Sequence, residues 1–368
     1  MKSNMMIVLG LIAVAAGCTT SAQQSSLVSP ATSAIKPVII TEPVKFDSDD
    51  PAIWIDPSDS THIIILGTDK NEQGALYAFN LQGKIIPGGI VEGLKRPNNV
   101  DIGYGLVIGG KPVDIAVVTE RMTHKLRIFS LPELKPLDHG GIEVFQGETQ
   151  PEYRDLMGIA IYKSFVTNEL YAIVGRKSGP LDGSYLWQYI LKDDGQGGIK
   201  AECVRKFGKY SGNKEIEAIA VDEELGYVYY ADEGVGIRKY FADPAKGNDE
   251  LALFGQKDFT QDHEGISIYK SSLTTGYILV SDQQAHRFNV YPREGSAGNP
   301  HAHPLMASIP VAAQESDGSE VTSRTLPAPF QSGLFVAMSD DKTFHFYRWQ
   351  DIAGKNLKIA SVQPDREQ

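Results

Sequence analysis

The chain has 368 residues and a formal net charge of −11, which argues against a nucleic-acid partner, since a phosphate backbone calls for a basic surface. With 36 Gly, 20 Pro and 42% hydrophobic residues it reads as a turn-rich globular protein and not as a disordered chain. An anionic substrate stays compatible with this charge only where cations intervene between it and the carboxylates.

In chain order, the first segment reads as an export signal. Lys2 precedes an apolar run over residues 5–16, shorter than the roughly 20 residues a spanning helix needs. Ala15-Ala16-Gly17-Cys18 is similar to a bacterial lipobox, with Ala15 where Leu is more usual. The expected organisation is a lipoprotein-type leader over 1–18 ending at a lipidated Cys18, a Ser/Thr/Gln-rich flexible tether over 19–36, a folded domain over 37–360 and a polar tail over 361–368. That organisation predicts an exported, lipid-anchored envelope protein whose membrane contact is the anchor alone. Cys203 is then the sole cysteine of the folded part, so no internal disulfide is expected. A cysteine-phosphatase role for Cys203 would need Arg six positions later, where Lys209 stands, and it reads instead as a small strand residue.

From Pro37 onward one pattern recurs: a polar or acidic opening, a short apolar run, a turn and a second apolar run. The openings are Asp49-Asp50-Pro51, Asn98-Asn99-Val100-Asp101, Leu156-Met157-Gly158, Glu215-Ile216-Glu217, Asp262-His263-Glu264-Gly265 and Asp317-Gly318. They start roughly 45 to 60 residues apart, the size of a propeller blade. Runs such as 76–79, 126–129, 186–191, 288–291 and 344–347 read as the strands that close each unit on its outer side. The predicted fold is all-β, a six-bladed β-propeller of four-stranded antiparallel blades. In that fold the first strand of each blade lines a central channel, so the openings converge on one face.

The convergence makes a cation site. Asp49, Asp50, Asn98, Asp101, Glu217, Glu233, Asp262, Glu264 and Asp317, with Glu320 beside them, supply the oxygen ligands that Ca²⁺ prefers. There is no EF-hand loop and no HExxH, and His301-Ala302-His303 reads as part of a surface loop. Lys70, Arg121 and the pair Arg176-Lys177 each follow a second apolar run, positions from which they could meet phosphate.

These residues resemble the β-propeller (alkaline) phytases, Ca²⁺-dependent phosphatases of myo-inositol hexakisphosphate. The resemblance covers about residues 37–352 and rests on Asp49-Asp50-Pro51-Ala52-Ile53-Trp54, Asn98-Asn99-Val100-Asp101, Glu217 with Ala231-Asp232-Glu233, and Asp262-His263-Glu264-Gly265. It implies several Ca²⁺ ions, a small anionic substrate, phosphate contacts from Lys70 and Arg121, and a catalytic group of Glu217, Lys70, Arg121, Asp262 and Glu264. It further implies attack by a metal-activated water, with no protein nucleophile. Two departures stand out: Met157 where the family has a phosphate-contacting Tyr, and Arg176-Lys177-Ser178 where the family has Lys-Glu. The residues by themselves also admit a noncatalytic surface propeller with structural Ca²⁺, or a lactonase-type propeller hydrolase.

Overall fold

A computed structural model describes residue 1 and residues 33–360. The expected leader, Cys18, most of the tether and the tail lie outside the described residues. No helix among the described residues is long and apolar enough to cross a membrane.

The described chain forms six four-stranded antiparallel sheets arranged as blades, as the spacing predicts. Their innermost strands are Ser48–Ile55, Pro97–Ile108, Leu156–Lys163, Ile219–Asp222, His263–Lys270 and Ser319–Thr322, and each pairs with the strand that follows it. We number the blades 1 to 6 in that order. The 63–66 run Ile-Ile-Ile-Leu is wholly buried rather than alternating, because each blade is covered on both faces by its neighbours. Six apolar clusters accordingly form, each between two adjacent blades. In one, Trp54, Leu66 and Leu76 of blade 1 pack on Val100, Val118 and Phe129 of blade 2. The core is thus a ring of seams around a central channel of about 220 Å³.

Runs expected to close each unit are third strands. The outer strands beyond them are Ile85–Leu94, Ile142–Glu143, Ile199–Phe207, Ala252–Phe254 and Ala307–Pro310. Blade 6 takes its outer strand from the other end of the chain: Ile39–Ile40 pairs antiparallel with Thr343–Arg348. This join closes the propeller and covers what would otherwise be an open edge. Cys203 lies on an outer strand and is exposed, away from the channel.

Four of the innermost strands change register at the same place: between Ser48 and Pro51, Pro97 and Val100, Leu156 and Ile159, and His263 and Ile266. A bulge re-aims side chains and interrupts the ladder. In blades 1 and 2 threonine hydroxyls meet part of the interrupted backbone. Thr68 Oγ1 accepts from Asp50 N at 2.9 Å and donates to Asn98 O of the next blade at 2.5 Å. Thr119 repeats this one blade on, accepting from Asn99 N at 3.0 Å and donating to Met157 O at 2.7 Å.

The closing strand generates a stability test. Thr41 N donates to Phe344 O at 3.1 Å while Thr41 Oγ1 accepts from Phe344 N at 2.9 Å. Thr41→Pro removes both bonds and should lower unfolding free energy by about 2–4 kcal/mol, read as a shifted urea midpoint. An unchanged midpoint would show that the join contributes little.

Candidate functional site

Register sets the site. Aligning four innermost strands at their bulges, and those of blades 4 and 6 by their pairing, puts Asp49, Asn98, Met157, Glu217, Glu264 and Asp317 at one equivalent position, a first ring on the face where these strands begin. In blades 4 and 6 that position precedes the strand proper, and the pairing runs on through Ala231 N to Ala218 O at 3.1 Å and Met338 N to Gly318 O at 2.9 Å. Asn98 Nδ2 donates to Glu217 Oε1 at 2.7 Å and to Asp49 Oδ2 at 3.3 Å, linking blades 1, 2 and 4. Met157 is the apolar member, so blade 3 brings no oxygen to this ring.

The following residue of each opening turns towards the next blade. Asp50 Oδ2 accepts from Val100 N at 3.0 Å, and a Cβ on Gly158 would collide with Glu217 O, which is why that position tolerates no side chain. Asp50 therefore leaves the ring for the channel. Asp101 lies in the channel too, its carboxylate accepting from Ile161 N at 2.6 Å and Ile102 N at 2.7 Å, and Glu320 lines the same wall. Burial raises all three carboxyls, Asp101 to about 7 and Glu320 to about 8. The sequence grouped these with the converging openings; the structure brings them together one layer deeper.

A second ring comes from the residue just past each second strand: Lys70, Arg121, Lys177, Glu233, Gln283 and Asp340. The residue before it is a buried anchor. Asp69 accepts from Phe46 N and Asp47 N, Asp232 holds Arg238, and Asp282 holds Arg287 and Thr260 N. Arg176 occupies this anchor position in blade 3. It is 0% exposed, and its guanidinium donates to Glu148 Oε1 and to the carbonyls of Tyr153, Ser184 and Tyr185 at 2.9–3.1 Å. The structure therefore does not bring Arg176 to the site, and Lys177 is the equivalent of Lys70 and Arg121. Gln283, which sequence reasoning missed, donates from Nε2 to Asp317 Oδ1 at 2.5 Å. The signal that identifies it is positional: it follows Asp282 as Lys70 follows Asp69.

Lys70 Nζ lies 2.8 Å from Asp317 Oδ2 and 2.5 Å from Asp49 Oδ1. Burial pulls its ammonium down, but Asp49, Glu217 and Asp317 outweigh that and hold it above the usual lysine value. Burial pushes Asp49 and Glu264 well above the carboxylate range, with neighbouring acids adding to it. Burial also lifts Glu233 to about 9, helped by Glu215, Glu217 and Asp262. Asp262 is steadied by Gln284, which donates from Nε2 at 2.9 Å and accepts from Asp262 N at 2.9 Å, and it pairs with Lys214. Arg121 donates from Nε to Leu156 O at 3.3 Å and rests its guanidinium on the Met157 sulfur. A pocket of about 460 Å³ opens beside this rim, with Lys177, Tyr210, Lys214, Glu233 and Asp262 on its walls.

Buried oxygens without a hydrogen-bond partner concentrate here: Asn98 Oδ1, Glu233 Oε1 and Glu264 Oε2. Such groups are costly unless something positive meets them. Hard carboxylate and amide oxygens suit Ca²⁺. Among the described residues no three acids or histidines stand close enough to form a coordination sphere unaided, so water or ligand oxygens would have to complete one. His303, expected in a surface loop, is buried, with Nδ1 2.7 Å from Pro292 O and Nε2 3.1 Å from Lys239 Nζ.

A family model described as Phytase matches residues 3–364. A 3-phytase from Bacillus subtilis (strain 168) is 25% identical over 329 residues, covering 83% of this chain and 80% of its own. The crystal structure of a mitotic checkpoint complex aligns over 94% of this chain and 99% of its own, at a TM-score of 0.48 and 9% identity.

Raised carboxyls set a pH dependence. Glu233 ionises at about 9 when folded against 4.5 ordinarily, so between those values the folded protein holds the extra proton. Stability therefore falls as pH rises through that window. In the presence of a chelator, Tm should drop by several degrees between about pH 5 and about pH 9. A Tm that is flat or rises over this range would remove the strained carboxylates from the account.

Proposed function

The chain belongs to the phytase family of phosphoric monoester hydrolases, and from that premise we propose that it releases phosphate from myo-inositol hexakisphosphate with Ca²⁺ held at the two rings. The observation that carries this reading is the set of buried oxygens on Asn98, Glu233 and Glu264 without a hydrogen-bond partner, set among the cations Lys70, Arg121 and Lys177. Asp49, Glu217, Glu233, Asp262, Glu264 and Asp317 would hold the ions, with Asn98 in support. When bound, Ca²⁺ offsets phosphate charge and lowers the pKa of a bound water, so that no protein nucleophile is needed.

The chain's own groups divide the remaining work. Lys70 and Arg121 stabilise charge on the phosphate oxygens, Lys70 as a point charge between Asp49 and Asp317 and Arg121 as a planar fork backed by Met157 and Leu156 O. Lys177 supplies the cation of blade 3, in place of Arg176. Asn98 fixes the Glu217 carboxylate through its 2.7 Å bond, so the group meets its ligand already oriented. Asp50, Asp101 and Glu320 act from the channel, Asp50 and Asp101 by holding backbone N–H groups of the adjacent blades. With Met157 in the first ring, blade 3 grips the substrate through charge alone.

The decisive experiment is phosphate release from phytate with and without Ca²⁺. Release should require Ca²⁺ and stop with chelator. Glu217→Gln should cut it roughly 100-fold with Tm nearly unchanged. Ca²⁺-dependent Tm without turnover would favour a noncatalytic binding propeller instead.

The export reading belongs to the same proposal. A lipid on Cys18 would tether the propeller to the envelope. Cys18→Ser should then move the protein from the membrane fraction to the soluble fraction, and retention in the membrane fraction would count against the anchor.

A further inference from the structure

Lys214 has no place in the mechanism above, yet its ammonium pairs with Asp262, one of the proposed cation ligands. The two partners differ in how they are held. Asp262 is clamped by Gln284 on both its carboxylate and its backbone N, and its side chain is 17% exposed. Lys214 comes from 208–218, a stretch without strand between blades 3 and 4, and its side chain is 48% exposed. The carboxylate is fixed and the lysine is the movable member.

Lys70 offers a contrast within the same site. It too neutralises ring carboxylates, but its side chain is 14% exposed and wedged between Asp49 and Asp317. A half-exposed ion pair is weak because water competes for both charges, whereas a buried one is expensive to break. A divalent cation arriving at Asp262, with water completing its coordination, brings twice the charge of an ammonium to a rim where Glu233 Oε1 and Glu264 Oε2 have no hydrogen-bond partner. Of the two lysines, Lys214 is the one it displaces.

The displaced ammonium has somewhere to go. Lys214 stands on the wall of the 460 Å³ pocket together with Lys177 and Tyr210, beside the first and second rings. Once Asp262 has taken a metal, Lys214 joins Lys177, whose ammonium lies 3.6 Å from Glu215 Oε2, at one opening.

We infer that Lys214 is a built-in competitor for the cation at Asp262, which the metal releases into the adjoining pocket, where it takes up a phosphate group. The inference rests on the Ca²⁺-dependent reading above. It makes cation uptake and anion binding cooperative through one side chain: the metal frees the lysine, and an anion that engages the freed lysine keeps it from returning to Asp262.

The test is calorimetric titration of Ca²⁺ into the wild type, Lys214→Met and Lys214→Arg, with no substrate present. Lys214→Met, which keeps the stem and loses the charge, should bind Ca²⁺ about three- to tenfold tighter, and Lys214→Arg should stay close to wild type. In the Ca²⁺-loaded proteins, inorganic phosphate should bind several-fold more weakly to Lys214→Met than to wild type. Unchanged or weaker Ca²⁺ binding by Lys214→Met, with a normally binding wild type, overturns this inference alone. Tighter Ca²⁺ binding with unchanged phosphate affinity overturns the anion role. A wild type that takes up no Ca²⁺ overturns the metal reading and this inference together.

Discussion

Lys70 sits where the propeller closes. Its ammonium joins Asp49 of blade 1 to Asp317 of blade 6, the two blades that meet at the seam. The same seam is tied by Ser48 Oγ donating to Ser339 O at 2.8 Å, and Gly318 packs against Asp49 O so closely that a Cβ there would collide. One charge thus serves two purposes: it lets acids from opposite ends of the chain lie side by side, and it leaves a cation at the middle of the rim. Without it, Asp49 and Asp317 would keep only the neutral amides of Asn98 and Gln283 against their mutual repulsion.

The rest of the site follows from how a bulge distributes consecutive residues. In each opening the first residue enters the ring, and the next turns towards the adjacent blade. On the second strand, the last residue is buried as an anchor and the one after it emerges. Two adjacent positions therefore do unlike work: Asp49 faces the rim while Asp50 holds Val100 N, and Asp69 holds the incoming backbone while Lys70 meets the acids. Thr68 and Thr119 make the arrangement tolerable by satisfying backbone groups on both sides of a blade boundary.

Much of this was legible from sequence, and the limits have physical causes. The six openings repeat because every innermost strand meets the same requirement at the channel mouth, so blade number and the ring-forming acids could be read directly. Outer strands could not, since they are half exposed and as short as Ile142–Glu143, with little apolar pattern to mark them. The closing strand is a partner of residues about 300 positions away, and Thr41 meets Phe344 across 303 residues, beyond any local signal. Arg176 was misplaced for a subtler reason. Charge suggested a phosphate ligand, but one residue of register separates an anchor from a ring position, and only the pairing of Leu156 with Arg176 shows which it is. Gln283 escaped notice because its place is set by where the second strand ends, at Asp282, and no opening motif marks it.

The acids of the rim work against folding, and the architecture lets them do so. The apolar clusters lie between blades, out along the radius, and none depends on the first-ring carboxylates. Stability can therefore be accumulated at the seams while the channel mouth keeps carboxyls that burial has raised and oxygens that lack partners. A site relaxed by internal hydrogen bonds would have little to gain from a cation. One whose strain is relieved only by positive charge would bind that charge with the free energy the strain had withheld, so the same unsatisfied oxygens that lower the stability of the empty protein would supply the affinity of a filled one.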